Sequence, residues 1–171
     1  NGIAQGYIAD RVAVGVVEVL ELVDVAHEAA QWLTAGLRVG HHLVRAVEEG
    51  ASVLMSDFHE RRLGEAADRI AAECGQRPAT FVCDVTNQEQ VDALHAAALA
   101  QLGQVDVLIN NAGLGGEVAV VDMTDDQWFR VLDVTLNSVF RMSRAFLPAM
   151  YARKAGVVVN NASVLGWRAR S

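Results

Sequence analysis

The sequence predicts an α/β protein built on a doubly wound parallel sheet, with helices on both faces. First, short apolar runs alternate four times with longer segments whose apolar residues recur at helical spacing. Second, the runs are apolar at successive positions, as in strands that are covered on both faces. Third, a polar cluster follows each run, at the edge where open parallel sheets bind ligands.

Each element has its own signal. The apolar runs predict strands, in chain order, over residues 51–56, 80–83, 105–109 and 157–159. The segments between them predict helices over about residues 58–74, 86–102 and 124–153. Gly75 marks the end of the first of these helices. Thr86 with Glu89, and Thr124 with Gln127, have the spacing of capping boxes, which predict where the other two helices begin.

The first 35 residues are predicted to be an N-terminal extension with no assigned element. Valine and leucine crowd residues 12–23 in a pattern that fits strand and helix equally. A doubly wound sheet needs a first strand, which residues 11–14 or 16–20 could supply. We therefore expect residues 36–171 to form the ligand-binding domain, with the fold incomplete at both ends.

Composition and charge exclude several classes of protein. Hydrophobic residues make up 52% of the 171 residues and the mean hydropathy is +0.21, which excludes a mainly disordered chain. The net charge of −7 argues against nucleic-acid and anionic-membrane partners, because both select clustered positive charge. The two cysteines predict a reducing compartment, and no apolar run reaches transmembrane length. The sequence therefore predicts a cytoplasmic protein.

The histidines and cysteines do not have the spacing of metal ligands. His41 and His42 are adjacent and would point in different directions on a helix, and His95 lies on a stripe predicted to face the core. Cys74 and Cys83 are too far apart to form a Cys-x-x-Cys pair. No metal site is predicted.

The strongest functional signal is the sequence Asn-Asn-Ala-Gly at residues 110–113, directly after a predicted strand. Small residues there let a ligand approach the backbone, and asparagine side chains can brace neighbouring strands. Asp57, residues 83–86 and residues 159–163 end the other three runs. Four polar clusters are therefore predicted to meet at one edge of the sheet.

Together these motifs resemble those of the short-chain dehydrogenase/reductase family, in its 3-oxoacyl-reductase-like branch. The resemblance covers about residues 50–171. The motifs follow the family's order, with Asp-Val-Thr at 84–86, Asp-Val-Leu-Ile-Asn-Asn-Ala-Gly at 106–113, the segment 128–140, and Val-Val-Asn-Asn-Ala-Ser-Val-Leu-Gly at 158–166. The resemblance implies a Rossmann-like fold and hydride transfer between a nicotinamide cofactor and a small-molecule carbonyl or secondary alcohol. Residues 36–171 would then be a partial NAD(P)-binding domain, and the intact parent a homo-oligomer.

The resemblance also implies a set of cofactor-binding residues, which consists of Gly36, Gly40, Asp57, Asp84, Val85, Asn111, Ala112 and Gly113. Asp57 would hold the adenosine ribose. A carboxylate accepts hydrogen bonds from the ribose hydroxyls but repels a 2′-phosphate, which favours NAD over NADP.

The same resemblance implies two catalytic residues and no metal. Ser163 would position and polarise the substrate carbonyl. Thr135 stands where the family has a catalytic asparagine, and a hydroxyl cannot reproduce both ends of an amide.

Two further departures from the family's pattern favour an alternative, a truncated non-catalytic nucleotide-binding fragment or pseudoenzyme. The glycine-rich phosphate loop is degraded around Gly36 and Gly40, and the family's Tyr-x-x-x-Lys does not occur before the last residue given. Tyr151 and Lys154 have different spacing and precede Ser163, so they are predicted to end a surface helix.

Overall fold

The computed structural model describes residues 13–16, 43–115 and 118–162. In these residues five parallel strands form one sheet in the order β3-β2-β1-β4-β5. The strands are β1 Ala13–Val16, β2 Val53–Asp57, β3 Ala79–Val82, β4 Val107–Asn110 and β5 Val157–Asn160. The chain runs outward on one side of β1 and then crosses to the other side, so the order reverses between β1 and β4. This reversal is the switch point at which open parallel sheets form a ligand crevice.

Helices connect the strands. They are α1 at residues 43–48, α2 Glu60–Cys74, α3 Gln88–Leu102, α4 Asp125–Leu132 and α5 Ser138–Arg153, with a 3-10 turn at Val120–Asp122 and a π-helical turn at Asp133–Asn137. Strands alternating with helices around one parallel sheet confirm the predicted α/β doubly wound class.

β1 lies at the centre of the sheet, in the part of the chain where the sequence left the first strand undecided. It overlaps the end of one candidate stretch, residues 11–14, and the start of the other, residues 16–20. Ala13 pairs with Val53 on one side and with Val107 on the other. The predicted boundary between residues 35 and 36 falls outside the described residues.

The core consists of two apolar layers, one on each face of the sheet. Leu54 and Leu108 pack with Phe146 in the layer beneath α3 and α5. Val53 and Met55 point to the opposite face and pack in a second layer with α1 and α2. Neighbouring residues of a strand face opposite sides, so a sheet covered on both faces requires the continuous apolar runs seen in the sequence.

Local signals place most helix ends. Gly75 ends α2 in the left-handed conformation, with φ 75°. Thr124 and Gln127 form the predicted capping box at the start of α4. The capping box predicted at Thr86 is wrong: α3 begins at Gln88, and the side chain of Asn87 caps it. The Thr86 hydroxyl instead donates to Asp84 Oδ1 at 2.7 Å, so it is already engaged before the helix starts.

The long helix predicted over 124–153 is interrupted by the π-helical turn, which the apolar spacing did not reveal. Its end agrees with the prediction, because α5 stops at Arg153 and Tyr151 is 72% exposed. Among the described residues, β5 is covered on one face only. Val157 and Val159 are 45% and 44% exposed, since the described residues leave the other face of β5 uncovered.

Candidate functional site

A broad cavity of about 1300 Å³ opens at the carboxyl edge of the described sheet. The ends of β2, β3 and β4 contribute Ser56, Asp57, Cys83, Asp84, Val85, Ala112 and Gly113 to its wall. The opposite wall comes from α4 and the π-helical turn, and includes Phe129, Arg130, Asp133 and Asn137. Five of the predicted cofactor-binding residues, Asp57, Asp84, Val85, Ala112 and Gly113, therefore line one cavity.

Asp57 ends β2 as a buried carboxylate, only 3% exposed. Its Oδ1 accepts the backbone N–H of His59 at 2.6 Å, and its backbone carbonyl accepts the N–H of Cys83 at 3.0 Å. These bonds hold the carboxylate in place on the wall. An anionic group in such a position is suited to hydroxyl donors and unfavourable for a phosphate.

The chain turns sharply after β3. Asp84 Oδ1 accepts both the N–H of Thr86, at 2.9 Å, and its hydroxyl. Val85 is buried between them. Burial, with the neighbouring Asp84 charge adding to it, raises the pKa of the Cys83 thiol to about 12, so this cysteine stays protonated and unreactive at the cavity wall.

Asparagine side chains link the ends of β4 and β5. Asn110 Nδ2 donates to Asn160 Oδ1 at 2.8 Å, and one residue further along Asn161 Nδ2 donates to Asn111 Oδ1. Asn111 does not line the cavity, unlike Ala112, but it holds the strand end from which the cavity wall continues. The predicted bracing role of the asparagines is present in this geometry.

Thr135 lies in the π-helical turn, and its Oγ1 accepts the backbone N–H of Leu114 at 3.2 Å. Thr135 does not itself line the cavity, whereas Leu114 does. The other predicted site residues, Gly36, Gly40 and Ser163, lie outside the described residues.

Sequence reasoning missed three polar residues at this point of the helical segment: Asp133 and Asn137 in the π-helical turn, and Arg141 in α5. Asp133 Oδ1 accepts Asn137 Nδ2 at 2.9 Å and Arg141 Nη2 at 2.6 Å. These two donors lower the pKa of Asp133, the asparagine bond first, and the carboxylate stays charged. The signal was available as spacings of four and eight residues between a carboxylate, an amide and a guanidinium.

The described ranges hold neither a cluster of metal-ligating side chains nor a membrane-spanning helix. Histidine, cysteine, aspartate and glutamate form no group of three or more that could hold a metal ion in those ranges. Nor do they include a helix with the length and apolar character needed to cross a bilayer.

Comparison with known proteins assigns the family. The family model described as short chain dehydrogenase matches residues 35–170. The chain belongs to the short chain dehydrogenase family. The resemblance seen in the sequence is thus confirmed, and the matched range includes the residues that line the cavity.

Two curated relatives within this kind of enzyme are similar to the chain over most of its length. The chain is 56% identical over 140 residues to the (5R,7aS)-5-hydroxy-7a-methyl-1-oxo-2,3,5,6,7,7a-hexahydro-1H-indene-carboxyl-CoA reductase of Mycobacterium tuberculosis, which covers 80% of this chain and 53% of the relative. It is 38% identical over 126 residues to a 3beta-hydroxysteroid dehydrogenase of Mediterraneibacter gnavus, covering 73% of this chain and 45% of the relative. The chain thus spans about half the length of these curated relatives.

Solved structures confirm the Rossmann-type fold. A short chain dehydrogenase from Mycobacterium smegmatis matches with a TM-score of 0.73 and 46% identity, over 95% of this chain and 62% of that one. The chain also matches an NAD+-bound xylitol dehydrogenase, with a TM-score of 0.78 and 25% identity over 96% of this chain and 57% of that one. It matches a metagenomic short-chain oxidoreductase in complex with NADP, with a TM-score of 0.76 and 25% identity over 96% of this chain and 67% of that one. Nicotinamide cofactors are therefore general to the family, and both forms occur among similar structures.

Proposed function

We propose that the whole protein transfers hydride between a nicotinamide cofactor and a ketone or secondary alcohol on an apolar ring system carried as a coenzyme A thioester. The observation that carries the proposal is the 56% identity to the mycobacterial indene-carboxyl-CoA reductase across 80% of this chain. The similarity to a hydroxysteroid dehydrogenase supports a fused-ring substrate. One relative is named as a reductase of an indene-carboxyl-CoA and the other as a dehydrogenase of a hydroxysteroid.

The cavity suits a dinucleotide in size and in chemistry. Asp57 offers a buried carboxylate for ribose hydroxyls, and the turn at Asp84 and Val85 offers an edge for an adenine ring. A Cβ placed on Gly113 would meet no atom within 4 Å, so the backbone there is open to close approach by a ligand.

When bound, the nicotinamide supplies or accepts the hydride. The chain's own residues bind and orient the reactants. We assign the ribose to Asp57, the adenine edge to Asp84 and Val85, the pyrophosphate to Gly36 and Gly40, and the nicotinamide side to Asn111, Ala112 and Gly113. Ser163 would donate a hydrogen bond to the substrate oxygen, and Thr135 would support the cavity wall through Leu114.

Cofactor choice follows from Asp57, and we propose NAD over NADP. A carboxylate fixed at the ribose position would lie close to the extra phosphate of NADP, and two like charges about 4 Å apart repel by roughly 4 kcal/mol at an effective dielectric constant near 20. Arg62 lines the same cavity and opposes this effect in part. The carboxylate dominates because it is buried at the end of β2, only 3% exposed.

The test uses the full-length protein, with kcat/KM measured for NADH and NADPH on a bicyclic ketone carried as a coenzyme A thioester. We expect NADH preference in the wild type and a fall of at least tenfold in that preference for Asp57→Ala. Asp68→Ala is the matched control, because Asp68 is an exposed carboxylate on α2 paired with Arg77. NADPH preference that Asp57→Ala leaves unchanged would refute the cofactor assignment.

The substrate part is tested separately with Ser163→Ala on the same thioester and on a simple ketone. Loss of one hydrogen-bond donor to a developing oxyanion lowers kcat by roughly 10²–10³-fold. Wild-type protein that binds NADH but reduces neither ketone would contradict the proposed reaction while leaving the family intact.

The proposal extends to the oligomeric state of the protein and to its cellular compartment. We propose a homo-oligomer, supported by aromatic side chains exposed on α4 and α5 away from the cavity lining, namely Trp128 and Phe140 at 50% and 61%. Light scattering of the full-length protein tests it, and a monomer would overturn it. We propose the cytoplasm as its compartment, supported by Cys74 and Cys83, which are both free thiols.

A further inference from the structure

The π-helical turn between α4 and α5 is the one interruption in an otherwise regular helical segment, at Asp133–Asn137. Such turns are rare and occur frequently at functional sites, because the wider turn displaces a side chain from the position that an α-helix would give it. Here the turn carries Thr135, whose hydroxyl accepts the N–H of Leu114. The helix is thereby joined to the loop after β4, on the wall of the cavity.

A polar clamp spans the turn. Asp133 stands at its first residue and Asn137 at its last, and Arg141 lies one helical turn further, in α5. One carboxylate oxygen of Asp133 accepts both the Asn137 amide and the Arg141 guanidinium. The two charged side chains are only 32% and 20% exposed, so solvent screens this pair less than a surface ion pair.

Arg141 is committed to this clamp. Its Nη2 is bonded to Asp133, and its Nη1 is buried without a hydrogen-bond partner among the described residues. The pair joins the first residue of the turn to a residue eight positions later, so its geometry depends on how the residues between them are wound. The charge pair therefore favours the π-helical form of this segment.

We propose that Arg141 and Asp133 are positioning residues: they hold the π-helical turn in the form that presents Thr135 to Leu114, and so fix the cavity wall at Gly113 and Leu114 for the cofactor. This inference rests on the proposed function for its consequence, namely cofactor binding. The clamp itself is a property of the protein without ligand.

Arg141→Met is the informative variant, because Arg141 does not line the cavity whereas Asp133 does. In the ligand-free full-length protein, we expect faster amide hydrogen exchange in the peptide that contains Leu114. We also expect a roughly three- to tenfold higher Kd for NADH, the range that corresponds to loss of one ordinary hydrogen bond. Thr135→Val should give the same two changes, because it removes the hydroxyl that accepts the N–H of Leu114. Thr135→Ser keeps a hydroxyl and should show wild-type exchange and wild-type NADH Kd.

The double variant separates positioning from general stability. If Arg141 acts through Thr135, then Arg141→Met adds nothing to the exchange rate or the NADH Kd in the Thr135→Val background. Arg153→Met is the matched control. Arg153 also forms a half-buried pair, with Asp106, but at the amino end of β4, away from the cavity. It should lower the Tm and leave exchange at Leu114 and the NADH Kd unchanged.

Unchanged exchange at Leu114 in Arg141→Met, or equal effects of Arg141→Met and Arg153→Met on that peptide, would overturn the inference. If Arg141→Met does not fold, Asp133→Asn removes the charge of the same pair from the other side: exchange at Leu114 should rise, and unchanged exchange would overturn the inference. Wild-type protein that binds neither NADH nor NADPH would refute the proposed function, while the exchange result would still decide whether the clamp exists.

Discussion

Replacing Asn160 with valine removes the acceptor that the structure provides for the side-chain amide of Asn110. Asn110 is 5% exposed, its Nδ2 donates to Asn160 Oδ1 at 2.8 Å, and its own Oδ1 is buried without a hydrogen-bond partner among the described residues. After Asn160→Val, the amide retains no described partner on either side. Valine itself suits a strand, so backbone preference does not oppose the change.

The magnitude follows from those contacts. Loss of the hydrogen bond removes roughly 0.5–1.5 kcal/mol, and an orphaned buried donor adds a desolvation penalty of roughly 1–3 kcal/mol. Water near the exposed Asn160 position relieves part of that penalty, so we expect destabilisation of about 2 kcal/mol. Asn110→Leu added to Asn160→Val removes the orphaned amide altogether and should recover about 1 kcal/mol or more.

The assay is urea unfolding of the full-length protein and of the two single and one double variants, with m compared across all four. The expected signature is a double variant more stable than Asn160→Val alone. Additive losses, or a loss below about 0.5 kcal/mol for Asn160→Val, would refute the argument that this amide is held by its cross-strand partner.

Two further predictions concern stability. Burial lowers the pKa of His95 from its ordinary value of 6.5, and the charge of Asp92 opposes this shift. As the pH falls below about 6.5, the unfolded state therefore binds a proton at His95 before the folded state does. The contribution of His95 to stability should be complete above about pH 6.5 and decline as the pH falls through that value towards the lowered pKa. His95→Leu should flatten this slope, as unfolding midpoints measured across pH would show. Gly64→Ala should raise the free energy of unfolding by roughly 0.5–1 kcal/mol, because Gly64 lies within α2 and has open space for a Cβ. Gly75→Ala should lower it by about 1 kcal/mol, because Gly75 has φ 75°. Changes of the same sign for both variants in thermal unfolding would contradict the assignment of Gly75 as the end of α2.

Several elements were predictable from the sequence because their causes are local. Gly75 ends α2 since glycine adopts the left-handed conformation without strain, and Thr124 caps α4 because its partner Gln127 is three residues away. Thr86 shows the limit of that reasoning. It has the spacing of a cap, but Asp84 two residues earlier binds its hydroxyl, and Asn87 takes its place.

The apolar runs and the polar residues that follow them were enough to predict a doubly wound parallel sheet with a site at its carboxyl edge, because two-sided burial and the strand ends are properties of each segment alone. Only the tertiary structure placed β1 in the centre, since residues 12–23 fit strand and helix equally and pairing with both β2 and β4 decides between them. Only the tertiary structure revealed the π-helical turn. A regular helix satisfies the same apolar spacing, so the sequence pattern does not distinguish the two. The bonds at the turn join Asp133 to Arg141 within the helix, and Thr135 to Leu114 across 21 residues of chain, so they are visible only in the folded structure.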